Sequence, residues 1–233
     1  MPDQHSSSQF DAELKSISAR IMEMGGLVEA QIKNAIEALS HFDMCAVDRI
    51  AFLEERVNAL EVDIDADLST IIATRQPTAK DLRMLLSISK ATSNLERIGD
   101  ESSKMGRMIK TLIDSSTPLN LPIMDLKYSG ELAAAQLRRA LDAFARHDVS
   151  DVVGILRQDD VIDREFEGYV RKLVTYMMED PRKITLSMEL LLLAKSIERI
   201  GDHSKNLAEL IVFMVKGKDV RHTPVEQVQS ALQ

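Results

Sequence analysis

The sequence predicts an all-α protein built as two homologous antiparallel three-helix bundles packed side by side, six long helices in all. Three observations carry that prediction. Aromatic residues are only 4% of the 233, with no tryptophan and 9 glycines, a composition poor in what strands and frequent turns require. Apolar positions recur at three-and-four spacing over long stretches, which is the mark of amphipathic helix. The pentapeptide Glu-Arg-Ile-Gly-Asp occurs at Glu96–Asp100 and again at Glu198–Asp202, 102 positions on.

Each element follows from its own signals. Phe10, Leu14, Ile17, Ile21, Met24, Val28, Ile32, Ala35 and Leu39 trace a first helix through Gly25 and Gly26, and Asp43 marks the turn that follows. A second helix carries Leu53, Val57, Leu60, Ile64, Leu68 and Ile71 and stops near Arg75-Gln76-Pro77, because proline disfavours helical geometry in the residue before it. Thr78 with Asp81 resembles a capping box and opens the third helix, which runs towards Lys110 or Ile113. Ser115-Ser116-Thr117-Pro118 is a linker-like seam at the midpoint. Beyond it, a fourth helix spans roughly Ile123 to Ala145 and a fifth Asp151 to Met178, with a turn at Asp148 to Ser150 between them. Asp180-Pro181 supplies an N-cap and a first-turn proline for the sixth, which ends at Lys216-Gly217. The expected units are therefore residues 1–116, 117–217 and a frayed polar tail, 218–233.

Charge narrows the function. A net charge of −8 and a sequence pI near 5.2 leave no basic footprint for a phosphate backbone or an anionic lipid surface, so no nucleic-acid partner is expected. Apolar runs such as Leu210 to Val215 fall far short of the roughly 20 residues that span a bilayer, so neither export signal nor membrane insertion is expected and the protein reads as cytoplasmic. The single cysteine, Cys45, reads as a buried inert thiol, and the scattered histidines, His203 among them, as surface residues. The methionines read as core filling. Neither a glycine-rich phosphate loop nor a nucleophilic triad is present, and no catalytic residue is expected.

The acids are the one constellation with chemistry in it. A shift of 102 carries Glu61, Asp63 and Asp65 onto Asp163, Glu165 and Glu167, so an acidic trio stands 35 positions before each pentapeptide. By helical projection the pairs Glu61/Asp65, Glu96/Asp100 and Asp163/Glu167 lie roughly 70° to 130° round from their apolar stripes. Glu198/Asp202 lies farther round, and all four rotate in one sense. In an antiparallel hairpin such pairs either converge on the shared groove or both point away, and rotation alone leaves that open. Height favours convergence, since the members of each hairpin stand about 25 Å from its turn. Four carboxylates at one level repel, and a hard multivalent cation or raised pKa values relieve the repulsion. All-oxygen ligands select Mg²⁺, Mn²⁺, Ca²⁺ or iron over copper, with zinc a poorer match. The plainer alternative is a metal-free helical scaffold whose acids form solvated charge networks with neighbours such as Arg97 and Arg199. A carboxylate-bridged di-metal oxidase is disfavoured, since no histidine follows a glutamate by three positions.

The duplicated pentapeptide and its acidic trios occur with Ala73-Thr74-Arg75-Gln76-Pro77-Thr78, Thr175-Tyr176-Met177-Met178-Glu179-Asp180 and Val215 to His222. Together these resemble the PhoU family over nearly the whole chain. The resemblance implies two three-helix bundles with Glu/Asp-x-x-x-Asp motifs that hold metal ions on the bundle surface. Glu96, Asp100, Glu198 and Asp202 match that motif directly, Glu61 with Asp65 matches it too, and Asp163 with Glu167 departs by ending in Glu. The implied role is that of a non-enzymatic negative regulator of phosphate uptake and of the phosphate-starvation response. Its implied partners are the ATPase subunit of the phosphate importer and a phosphate sensor histidine kinase, and family precedent admits a homodimer.

Overall fold

The computed structural model describes residues 3–115 and 122–232, with side chains described from residue 9 onward. Six long helices are present: α1 Asp3–His41, α2 Met44–Arg75, α3 Ala79–Asp114, α4 Ile123–Arg146, α5 Val152–Glu179 and α6 Ile184–Lys216, followed by a short α7, Val225–Leu232. Every regular element among the described residues is helical. Helices α1, α2 and α3 pack on one another, as do α4, α5 and α6, so the expected architecture is present. The midpoint seam, with its boundary at 116/117, lies outside the described residues.

Local chemistry sets the ends. Asp43 caps α2 by accepting a hydrogen bond from the Cys45 amide at 2.9 Å. Thr78 makes no such bond to the backbone; its hydroxyl donates to the Asp81 carboxylate at 3.2 Å, so the two residues meet side chain to side chain and the expected capping box is not formed. Asp180 accepts from the Arg182 amide, and Pro181–Lys183 forms one 3-10 turn before α6 begins. Helix α6 closes on Gly217 with φ +71°, in the left-handed region where a glycine carries no Cβ penalty.

Burial follows the three-and-four pattern. Ile17, Ile21, Met24, Val28, Ile32, Ala35 and Leu39 of α1 are all buried, each large side chain contributing about 1.5–3 kcal/mol of transfer free energy. The bundles then join face to face through α1 with α4 and α3 with α6. Both contacts are reciprocal. A Cβ on Gly25 would lie 2.6 Å from Leu141 and one on Gly130 would lie 3.0 Å from Ile36; in each case a glycine of one helix admits an aliphatic side chain of the other. Gly25 and Ile36 correspond to Gly130 and Leu141, 105 positions on, so a pseudo-two-fold axis relates the halves. On α3 and α6, Asn94 meets His203 while Glu101 meets Ser196 and Arg199, which is the same axis seen through an antiparallel pair.

Three sequence expectations are corrected. Cys45 is exposed, in the first turn of α2. His203 is half-buried at the seam between α3 and α6, its ring nitrogen 3.1 Å from Asn94. The tail is not frayed through its length, since Val220 and Val228 are buried and α7 packs on α5. Its stripe of Val225, Val228 and Leu232 is too short to register as a period, yet covering it against a neighbour is enough to hold one helix of two turns.

Glu101 ties the halves together. It is 4% exposed, accepting from Ser196 Oγ at 2.8 Å, Lys104 Nζ at 2.9 Å and Arg199 at 3.1 Å. Burial alone would raise its pKa, but these three donors outweigh it and hold the carboxyl below the ordinary range. Glu101→Ala is expected to lower stability by about 2 kcal/mol at pH 7, the scale of hydrogen bonds to a charged group. The loss should shrink as the pH falls through the glutamate's depressed pKa. Urea unfolding at pH 7 and pH 3 measures both, and equal losses at the two pH values would contradict the assignment.

Candidate functional site

Amphipathic helices place the acids at the border between core and solvent, as the projection requires. Glu61, Glu96, Asp100, Asp163, Glu198 and Asp202 are all half-buried, whereas Asp65 and Glu167 are exposed. Burial and like charges together raise four of them, Glu61, Glu96, Asp163 and Asp202. Glu61 is raised above its ordinary pKa first by burial, then by Asp65 and Asp100, and Glu96 by burial, Glu61, Asp100 and Glu54. In the second bundle Asp163 is raised by burial, Asp159 and Glu198. Asp202 is pushed up to about 6 by burial, Glu198, Asp159 and Asp163. Acids of α2 and α3, and likewise of α5 and α6, thus act on one another across each hairpin.

Asp65 and Glu167 stand apart from that convergence. Asp65 acts on Glu61 of its own helix, and Glu167 forms an ion pair with Arg171 at 3.1 Å one turn along α5. Among the described residues no three His, Cys, Asp or Glu side chains close on one point as a metal set; the carboxylates lie side by side along the grooves.

The register of the duplication differs from the one read in the sequence. A Cβ at Gly99 would meet Gln31 Oε1 at 3.0 Å, Glu54 Oε2 at 3.2 Å and Val57 at 3.4 Å. At Gly201 it would meet Gln136 Oε1 at 3.2 Å, Ile162 at 3.2 Å and Asp159 Oδ1 at 3.3 Å. The glycines are 102 apart, but Gln31, Glu54 and Val57 correspond to residues 105 further on. The second hairpin is thus three residues shorter around its turn, and Asp163 is structurally matched by Asn58, with Glu61 almost one helical turn beyond it. Sequence reading at a single shift therefore missed Glu54, Asp159 and the two glutamines. The signal was present: Gly25-x-Leu27-x-x-Ala30-Gln31 recurs as Gly130-x-Leu132-x-x-Ala135-Gln136, at 105.

Donors and counter-charges separate the two grooves. Gln31 Nε2 donates to Glu54 at 2.7 Å; Gln136 Nε2 donates to the Ile155 carbonyl at 3.2 Å and to Asp159 at 3.4 Å. Asp159 is 1% exposed and paired with Lys205 Nζ at 2.8 Å. The position matching Lys205 in the first bundle is Ser103, which brings no charge there. Lys195 Nζ forms an ion pair with Glu198 Oε2 at 2.5 Å. Gln31 Oε1 and Gln136 Oε1 are buried and accept no hydrogen bond from the described residues. Clustered carboxylates beside buried oxygens short of donors form an all-oxygen environment that suits a hard cation.

Between the grooves, α3 and α6 enclose a cleft of about 440 Å³ lined by Arg97, Asp100, Glu101, Lys104, Arg199, Asp202, His203 and Asn206. Asp100 and Asp202 belong to both groove and cleft. The cleft has three basic and three acidic side chains, so it has no strong preference for a free anion.

Comparison with known proteins places this architecture. The PhoU domain family model matches residues 21–109 and 127–211, once on each bundle. A phosphate-specific transport system accessory protein PhoU homolog of a Burkholderia species is 46% identical, with all of both chains covered. The Escherichia coli K12 phosphate-specific transport system accessory protein PhoU is 43% identical over 99% of this chain and 95% of its own length. The crystal structure of PhoU from Pseudomonas aeruginosa superposes with a TM-score of 0.87 at 39% identity, covering 90% of this chain and 100% of that one. The Streptococcus pneumoniae phosphate transport system regulatory protein PhoU superposes with a TM-score of 0.83 at 26% identity, covering 91% and 99%.

Proposed function

Because the chain belongs to the PhoU family, we propose that it is an accessory regulator of phosphate transport, not an enzyme, and that it restrains uptake and the starvation response when phosphate is plentiful. In this reading it is an adaptor that links the ATPase subunit of a phosphate importer to a sensor histidine kinase. The observation that carries the transport role is end-to-end likeness, at 43–46% identity, to proteins named as accessory to phosphate-specific transport. No described helix is long and apolar enough to cross a membrane, which agrees with a partner that docks onto transport components. Uncovered apolar positions supply docking surface: Ile184, Met188 and Leu192 are exposed one above another along α6, a spacing suited to helix-on-helix recognition.

The grooves add a metal. Glu61, Glu96 and Asp100 with Glu54 in the first bundle, and Asp163, Glu198 and Asp202 with Asp159 in the second, would hold Mg²⁺, Mn²⁺ or iron, with zinc less favoured. The bound ion would supply positive charge to an acidic surface that repels free phosphate. Asp65 and Glu167, at the outer ends of the motifs, are peripheral in this reading.

Pull-down of the importer ATPase and the kinase in phosphate-rich medium tests the adaptor role, and recovery of neither partner would contradict it. For the metal, Glu96→Ala/Asp100→Ala is expected to lose the first bundle's ion while keeping the second's. Metal analysis of protein purified without chelator reads this directly, and full retention by the variant would remove the site.

A further inference from the structure

We propose that Gln31 and Gln136 are themselves ligands, each giving its side-chain carbonyl oxygen to the cation held by its bundle's acid groove; this rests on the metal reading above and deepens it. Both residues are completely buried. Both have the amide nitrogen committed, Gln31 to Glu54 and Gln136 to the Ile155 carbonyl and Asp159. Those partners are acceptors, so the amide cannot be turned round without setting oxygen against oxygen. The orientation of each carbonyl oxygen is therefore chemically determined.

That oxygen has no donor in either bundle. A buried acceptor left unpaired is costly, and this chain bears the cost twice, at positions related by its own duplication. Each oxygen lies against the glycine of the pentapeptide, within 3.0 Å and 3.2 Å of where a Cβ would stand, with Glu54 or Asp159 close to the same point. One carboxylate oxygen stands at each spot, Glu54 Oε2 in the first bundle and Asp159 Oδ1 in the second, where Lys205 Nζ pairs with the other oxygen of Asp159 at 2.8 Å. A cation satisfies the amide oxygen and the acids at once, whereas a side chain at residue 99 or 201 would fill the approach. Because the amide nitrogen also holds Glu54 or Asp159 in place, each glutamine both ligates and orients. A neutral carbonyl among carboxylates is the donor mixture of Ca²⁺, Mn²⁺ and Mg²⁺ sites.

The test is calorimetric titration of the chelator-stripped full chain with Mn²⁺ alone, with Tb³⁺ luminescence lifetimes in H₂O and D₂O counting bound waters. Gln31→Leu is expected to weaken the first bundle's site by about 10–100-fold and to add one bound water there, and Gln136→Leu to do the same in the second. Gln31→Glu keeps a ligand oxygen in place but sets its other carboxylate oxygen against Glu54, so it is expected to lower the stability of the metal-free chain, to regain stability when Mn²⁺ is added, and to bind Mn²⁺ at least as tightly as the parent; circular dichroism checks that the leucine variants fold. Unchanged affinity in both leucine variants, with loss in Glu96→Ala/Asp100→Ala, would overturn the glutamine assignment and leave the metal site standing. Weakening by Gln31→Glu as large as by Gln31→Leu would reduce the amide to a hydrogen-bond donor for Glu54 and also overturn it. Absence of Mn²⁺ uptake by the unsubstituted chain would end both readings.

Discussion

Lys205→Met is expected to cost about 3 kcal/mol of unfolding free energy at pH 7 in metal-free protein. Asp159 is 1% exposed, and Lys205 Nζ at 2.8 Å is its one cationic partner. Removing one member of a buried pair strands the other charge, and such losses run to roughly 3–5 kcal/mol. The lower end applies because the Lys205 side chain is 34% exposed, so part of its charge is already solvated. Burial acts to lower the lysine's pKa, and the hydrogen bond to Asp159 more than reverses that, so it stays charged throughout the neutral range. Asp159→Asn in the Lys205→Met background should return most of the loss, since the stranded carboxylate is gone. Mn²⁺ should also return part of it by binding the folded state alone. Urea denaturation of the four proteins of the cycle measures the coupling, and a single-variant cost under about 1 kcal/mol would contradict the pairing.

Glu209→Gln should act in the opposite direction, stabilising the protein by about 2 kcal/mol at pH 8 and by almost nothing at pH 4. Glu209 is 8% exposed on α6, beside a cavity of about 440 Å³ that α5, α6 and the tail enclose with Lys205, Arg221 and His222 on its lining. Burial pushes its carboxyl up to about 7; Lys205 and Arg221 oppose the rise, and Asp219 and Asp159 add to it. A folded pKa above the unfolded one means that the folded state resists deprotonation. Stability is therefore lost as pH rises from about 4.5 through about 7, and a side chain that never ionises escapes the loss. Thermal or urea unfolding across pH 4 to pH 8 distinguishes this from simple repacking, which would give a gain independent of pH.

The long helices were legible because each repeats its apolar spacing many times, so one irregular position such as Gly25 does not hide the period. The tail was not, because Val225, Val228 and Leu232 form a single short stripe that acquires meaning only against α5. His203 and Cys45 were misplaced for a related reason: a polar or small residue on a helix border is buried or exposed according to what the neighbouring helix brings, and no local signal states that. The acids illustrate both sides. Their number, their helical faces and their duplication can be read directly, but the shift of 102 that matches the pentapeptides does not hold for α2 and α5, where the structure requires 105.

Amino-acid order alone determined the helical class, the twofold repeat and the family, since periodicity, composition and contiguous motifs are properties of a chain read along its length. Packing decided which carboxylates share a groove, that Lys205 neutralises one groove and not the other, and that two glutamines of α1 and α4 face the pentapeptide glycines. Those facts depend on the register between separate helices. A three-residue difference around one turn moves a side chain by almost a full helical turn, about 4.5 Å along the axis, and the energies that set it arise from contacts between residues far apart in the chain.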